Sequence, residues 1–95
     1  MIARIHILVR GRVQGVGFRA FVLHRAQTLG ISGWVRNRTD GSVELEAEGD
    51  ASAIDRLVEA VERGPVGARI TGVERSPRAA APGPRIFRLR EDSLP

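Results

Sequence analysis

A glycine-rich segment followed by an arginine is the part of the sequence best suited to chemistry on a small anion. Residues 11–17 read GRVQGVG, and Arg19 stands two positions later. A glycine loop at the start of a helix exposes backbone N–H groups beside the positive end of the helix dipole, which favours phosphate or carboxylate. A guanidinium in the first helical turn can add a bidentate contact to the same anion. The alternative is a loop whose glycines only let the chain turn, with Arg19 solvated on the helix surface.

Asn37 is a second candidate, because its amide can both donate and accept a hydrogen bond. It lies near the end of a predicted strand, where a residue of low β-propensity is unusual. Such an amide could hold a water molecule and orient its lone pair toward a bound electrophile. The alternative is that Asn37 only begins the turn that leads to Asp40 and Gly41.

The residue types that the chain lacks narrow the chemistry further. Its 95 residues include no Cys, no Tyr and no Lys, so all fifteen residues in the Lys+Arg count are arginines. Thiolate nucleophiles, cysteine metal sites, Schiff-base lysines and the lysine of a Walker A loop are therefore excluded. Residues 15–20 fit the loose dinucleotide pattern G-x-G-x-x-A, but 95 residues cannot hold a doubly wound domain. We expect no metal and no cofactor.

The remaining polar and aromatic candidates are expected to be structural. His6 lies within a predicted strand and His24 within a predicted helix, both without metal-ligating neighbours at useful spacing. Trp34 is expected to belong to the core. Glutamates at alternate positions of one strand predict a solvated, acidic sheet face and not a paired-carboxylate site: Glu44, Glu46 and Glu48.

The charge of the chain gives a weak bias toward anionic partners. The formal net charge is +4 and the arginines are spread along the chain without an uninterrupted run. Arg4 and His6 interrupt the apolar residues of the N-terminus, which therefore lacks the apolar core of a signal peptide. No stretch approaches the length of a membrane span. We expect a soluble cytoplasmic protein.

Hydrophobic periodicity predicts two helices and five strands. The strands are expected at residues 2–10, 31–39, from 43 onward, 68–75 and 86–90. One helix is expected at residues 18–29. The other starts after Asp50, a good N-cap, and stops at residues 64–65, a Gly-Pro pair. Gly72 suggests a bulge, and residues 76–84 read as a loop.

The order of these elements predicts an α+β domain of the ferredoxin-like, split βαβ type over residues 1–95. Two helices would cover one face of an antiparallel sheet, with a short extra strand at the C-terminus. A right-handed crossover makes the first two strands parallel, with the third strand between them, so their C-terminal ends share one sheet edge. The glycine loop and Asn37 are therefore expected at the same end of the molecule.

Two segments resemble the acylphosphatase family. Residues 9–19, VRGRVQGVGFR, and residues 33–37, GWVRN, match its signature in order, with Gly41, Val43 and Gly49 beyond. The resemblance covers nearly the whole chain and weakens toward the C-terminus, where the strand lacks the Tyr often found in the family. It implies the ferredoxin-like fold and the hydrolysis of a small acyl phosphate to a carboxylate and inorganic phosphate.

The resemblance also implies roles for individual residues. By the matching positions, Arg19 binds phosphate and Asn37 orients the attacking water. Loop N–H groups would help to hold the phosphoryl oxygens, so the phosphate-binding set is Gly15, Val16, Gly17, Phe18 and Arg19. An acyl phosphate is already activated, so neither a covalent nucleophile nor a strong acid is required. The substrate's own phosphate would accept the proton, because the predicted topology places no carboxylate or histidine nearby. We expect a monomer.

Two other functions remain open. A regulatory or carbamoyl-phosphate-handling domain, like the one at the start of hydrogenase maturation carbamoyltransferases, has a similar signature. The lack of a linker after Pro95 favours a free-standing enzyme. A nucleic-acid-binding module of the same fold would stack bases on aromatic residues of its open sheet face. We expect glutamates and no aromatic residue on that face, and hence no nucleic-acid partner.

Overall fold

Two helices and five strands follow one another in the predicted order. The computed structural model describes residues 1–81 and 83–92. Residue 82, in the loop predicted at 76–84, and residues 93–95, at the end of the predicted domain, lie outside the described residues. The elements are β1 (Ile2–Arg12), α1 (Phe18–Thr28), β2 (Ser32–Asn37), β3 (Val43–Asp50), α2 (Ala51–Arg63), β4 (Arg69–Arg78) and β5 (Phe87–Arg90).

The strands form one sheet in the order β4-β1-β3-β2-β5. β3 pairs antiparallel with both β1 and β2, so β1 and β2 run parallel on either side of it. This arrangement confirms the ferredoxin-like prediction. The short fifth strand lies parallel to β2 at the sheet edge, which makes the sheet mixed.

Strand pairing moves several element ends away from the sequence prediction. β1 and β4 both run further than expected, because their outer residues pair with each other, as Arg12 does with Arg69 and Arg4 with Arg78. β2 stops earlier, at Asn37, because the Arg38 N–H donates to the Ser42 carbonyl and closes a turn. The bulge suggested by Gly72 is confirmed by a shift of register between the two strands beside it.

Both helices pack on one face of the sheet. The alternating apolar residues in the middle of β1 and β3 that face the helices are fully buried: Ile7, Val9, Val43, Leu45 and Ala47. α1 contributes Phe18, Val22 and Ala26, and α2 contributes Ile54, Leu57, Val58, Ala60 and Val61. Asp50 stands at the N-cap position of α2, as predicted, but its carboxylate makes no capping hydrogen bond and accepts one from the Ser52 hydroxyl instead.

The opposite sheet face is not the solvated acidic surface that the sequence predicts. Glu44 is only 8% exposed, because His6 Nε2 and Arg36 Nε donate to its carboxylate at 2.7 and 2.8 Å. Arg4 pairs in the same way with Glu46 and Glu48, which are partly buried. The physical reason is the central position of β3, which lets long side chains from both neighbouring strands lie across its glutamates.

Trp34 lies on this same face, so the expectations of a core tryptophan and of a face without aromatics are both wrong. Its neighbour Val35 points to the helices and is fully buried, and alternation therefore turns Trp34 the other way. The guanidinium carbons of Arg36 and Arg90 lie 5.1 and 4.6 Å from the centroid of the tryptophan ring. These are cation–π distances.

Gly33 in β2 has a backbone conformation in which a side chain would collide with β3, and its replacement tests the sheet. A Cβ on Gly33 would lie 2.0 Å from the Glu46 carbonyl oxygen, and φ at Gly33 is +138°. We expect Gly33→Ala to lower the free energy of unfolding by about 2 kcal/mol or more, measured by urea denaturation, because the strands must separate. Gly72→Ala is the control, since nothing lies within 4 Å of its added Cβ. Equal stability of the two variants would contradict this packing.

The buried carboxylate of Glu44 makes part of the stability depend on pH. Burial opposes ionisation of Glu44, but the hydrogen bonds from His6 and Arg36 outweigh it and hold its pKa below the ordinary glutamate value of about 4.3. The stabilisation is therefore present above about pH 4.3 and is lost as the pH falls through the lower pKa of the folded state. Between about pH 6 and pH 3, we expect the thermal midpoint of Glu44→Gln to fall less than that of the unchanged protein.

The control for this titration is Glu59→Gln, which removes an exposed carboxyl from α2. Its thermal midpoint should decline with pH in parallel with the unchanged protein. A parallel decline in Glu44→Gln as well would show that Glu44 does not contribute to the acid sensitivity.

Candidate active site

The loop between β1 and α1 is held at its two ends by buried apolar side chains. Val13 and Phe18 are each 1% exposed and anchor the loop in the core. Gly17, with φ of 76°, occupies the N-cap position of α1. Because glycine has no side chain, the first N–H groups of the helix have no side-chain cap. No acidic residue lies in the first turn of this helix. The N–H groups at the start of α1 are therefore not neutralised by a nearby carboxylate of the same turn and suit an anion.

Arg19 lies in that first turn and reaches toward the chain that follows β5. Its side chain is 28% exposed, and Nη1 lies 3.5 Å from both the Arg90 carbonyl oxygen and Glu91 Oε2. The expectation that no carboxylate lies near the phosphate-binding region is therefore wrong. Periodicity could not place Glu91, because it follows the last strand and its position depends on the parallel pairing of β5 with β2.

Asn37 ends β2 on the side of the sheet that faces the helices. It shares this side with Val35, two residues earlier, and pairs across the strands with Val43, both of which are fully buried. Its Oδ1 is buried and has no hydrogen-bond partner among the described residues. Leaving a buried amide oxygen without a hydrogen bond costs about 1–3 kcal/mol of stability. A donor that reaches this atom recovers that cost and is therefore bound favourably.

A side chain that the sequence did not single out joins the loop to the end of β2. Gln14 Nε2 donates to the carbonyl oxygens of Arg38 and Ser42 at 2.7 and 2.9 Å. The loop and Asn37 therefore share one end of the sheet, as the topology predicts. The sequence gives no pattern from which this contact could be found, because the two partners are backbone atoms distant along the chain.

The turn after Asn37 is stabilised by its own hydrogen bonds. The Asp40 carboxylate accepts hydrogen bonds from the hydroxyl and the backbone N–H of Ser42. These bonds, the one from the hydroxyl first, hold the pKa of Asp40 below its usual range. An ionised Asp40 at neutral pH keeps the turn closed beside Gln14.

The two histidines lie apart from the loop, as expected. His6 faces the open side of the sheet, where it contacts Glu44. His24 is the seventh residue of α1, well past the first turn. Within residues 1–81 and 83–92, no three His, Asp or Glu side chains are grouped so as to hold a metal ion. Among the same residues, no helix is long and apolar enough to cross a membrane.

The sheet order defines an α+β protein of ferredoxin-like topology, with the loop and Asn37 at one end of the sheet. The chain belongs to the acylphosphatase family, whose model matches residues 5–88. The acylphosphatase of Salinibacter ruber is 49% identical over 87 residues, which are 92% of each chain. The crystal structure of acylphosphatase from Bacillus subtilis has a TM-score of 0.89 and 40% identity, over 95% of this chain and 99% of that one.

These relationships establish a hydrolase of the acylphosphatase type. Its substrate class is a small acyl phosphate and inorganic phosphate is a product. The fold also matches a part of a longer protein, full-length HypF in a phosphate- and nucleotide-bound form. That match has a TM-score of 0.88 and 27% identity, over 99% of this chain and 12% of that one.

Proposed function

We propose that this chain hydrolyses acyl phosphates with Arg19 and the loop as phosphate site and Asn37 as the group that orients water. The observation that carries the proposal is the buried, unpaired Oδ1 of Asn37 at the sheet edge shared with the loop. In the proposed complex the side chain turns so that a water molecule donates one hydrogen bond to this oxygen, which is buried in the structure. Its own oxygen then keeps a lone pair for the phosphorus atom.

The phosphate site combines one side chain with backbone groups. The N–H groups of Gly15, Val16, Gly17 and Phe18 face the anion in the proposed complex, together with Arg19. In this site the guanidinium exchanges its long contacts to the Arg90 carbonyl and the Glu91 carboxylate for two phosphoryl oxygens. Preorganised donors of this kind stabilise charge on the phosphoryl group during an in-line attack.

The reaction balances without a covalent intermediate. The water oxygen forms a bond to phosphorus while the bond between phosphorus and the acyl oxygen breaks, and the carboxylate leaves with the electron pair. The water proton passes to a phosphoryl oxygen of the substrate. Glu91 is the one carboxylate placed near Arg19 in the part of the chain described, and its charge is directed at that guanidinium. The proposal therefore keeps the phosphate as proton acceptor.

Arg19→Ala is expected to weaken phosphate binding and turnover together. The guanidinium contributes a charged hydrogen bond worth about 1.5–3 kcal/mol, so kcat/KM for benzoyl phosphate should fall by roughly tenfold to hundredfold, with a parallel rise in the inhibition constant of phosphate. Arg25→Ala removes an exposed arginine from the same helix and serves as the control. Near-normal hydrolysis by Arg19→Ala would remove this residue from the site.

Asn37→Ala is expected to lower kcat by roughly a hundredfold, as does loss of a preorganised donor or acceptor in other hydrolases. The inhibition constant of phosphate should change little, because Asn37 contacts water and not the bound anion. The steady-state assay uses benzoyl phosphate, and Thr39→Ala in the adjoining turn is the matched control. Loss of phosphate affinity at unchanged kcat would make Asn37 a binding residue instead.

A carbamoyl-phosphate-handling role, which the resemblance also allows, is the second candidate function. The structural match to part of the phosphate- and nucleotide-bound HypF supports a phosphate site on this fold. Carbamoyl phosphate presents the same phosphoryl group to the loop, so substrate choice depends on what surrounds the acyl end. Comparison of kcat/KM for carbamoyl and benzoyl phosphate on one enzyme preparation separates the two functions.

We propose no nucleic-acid partner, in spite of the basic charge. The glutamates of the open sheet face are engaged by arginine and histidine, and guanidinium groups lie over Trp34, the aromatic residue of that face. A base would have to displace these groups in order to stack. The monomeric state, the cytoplasmic location and the single domain over residues 1–95 stay predictions.

A further inference from the structure

Gln14 occupies a junction between the two halves of the proposed active site. Its side chain is partly buried, and Nε2 directs one hydrogen bond to each arm of the β2–β3 turn, at Arg38 and at Ser42. The same turn is closed by the Arg38 N–H on the Ser42 carbonyl and by the Gly41 N–H on the Arg38 carbonyl. The amide of Gln14 therefore binds both sides of a turn that is also closed by its own backbone hydrogen bonds.

The residues next to this junction in the chain are those proposed to bind phosphate and to orient water. Gly15, the first residue of the phosphate-binding set, directly follows Gln14, and Asn37 directly precedes Arg38. On each side, the proposed group is therefore the immediate chain neighbour of a residue in the Gln14 contact. Among residues 1–81 and 83–92, the structure shows no other hydrogen bond between the loop and this turn.

The loop is open at its two glycines, although Val16 between them packs against the core. A Cβ on Gly15 or Gly17 would meet no atom within 4 Å, so the loop backbone there is open on the side-chain side. Val13 and Phe18, on either side of these glycines, hold the two ends of the loop to the core. We propose that Gln14 is a positioning residue that fixes the phosphate-binding N–H groups relative to the amide of Asn37. This inference rests on the proposed function.

Gln14→Met is the direct test, because methionine has a similar length and cannot donate to the two carbonyls. We expect kcat for benzoyl phosphate to fall about tenfold or more, since small misplacements of reacting groups cost large factors in rate. The inhibition constant of phosphate should change less than about twofold, because the loop N–H groups and Arg19 remain. Gln27→Met on the exposed side of α1 is the matched control and should leave both constants unchanged.

A double-mutant cycle with Asn37 separates positioning from general stability. If Gln14 acts by placing the loop against Asn37, adding Gln14→Met to Asn37→Ala should lower kcat by less than twofold further. Independent, multiplicative losses would overturn the inference. If Asn37→Ala alone leaves kcat unchanged, the proposed role of Asn37 is wrong. The single variant shows this independently of any result for Gln14.

Gln14→Glu gives a second readout if Gln14→Met does not fold. Two carbonyl oxygens facing the introduced carboxyl favour its neutral form, which can donate one hydrogen bond, whereas the ionised form can donate none. We expect kcat of Gln14→Glu, relative to the unchanged enzyme, to rise at least threefold as the pH is lowered through the pKa of that carboxyl. A pH-independent ratio would contradict donation by this side chain to the turn.

Discussion

The pairing of β3 with both β1 and β2 is the constraint on which the rest of the molecule depends. Val43 of β3 lies opposite Val9 of β1 and opposite Asn37 of β2. Neighbouring strands are about 4.8 Å apart, so the ends of β1 and β2 stand about 10 Å from each other at one edge of the sheet. A slip of β2 by one residue would turn Asn37 to the opposite face, away from the loop. The placement of Asn37 and the packing of the core are thus set by the same register.

Because the chain has no lysine, arginine side chains supply the positive charge both beside the loop and on the open face of the sheet. At the loop, Arg19 lies in the first turn of α1, beside the free N–H groups at the start of that helix. On the open face, Arg4 and Arg36 lie along glutamates of the central strand and satisfy them. A guanidinium can serve both purposes because it is planar, always charged and able to donate several hydrogen bonds at once. The excess positive charge therefore does not by itself indicate a nucleic-acid surface.

Residues near the C-terminus contribute to the site through the parallel pairing of β5. This strand brings the Arg90 carbonyl and the Glu91 carboxylate to the guanidinium of Arg19. The adjacent Asp92 accepts a hydrogen bond from Arg36, and Arg90 lies over Trp34. The segment thus touches both Arg19 and the charged face, although its sequence matches the family signature less well.

The sequence by itself determined the order of the elements, the buried faces of β1 and β3, and the places of Arg19 in the first turn of α1 and of Asn37 at the end of β2. Each of these follows from local periodicity, from glycine and arginine chemistry, or from the two signature segments. The tertiary structure alone decided how Gln14 meets the turn, how Glu44 is buried, where Trp34 points and what approaches Arg19. These contacts join atoms far apart along the chain, and several end on backbone carbonyls, which are the same in every residue and leave no mark in the sequence. Alternation says on which face a side chain lies, but only the strand order and register say which neighbours it meets there.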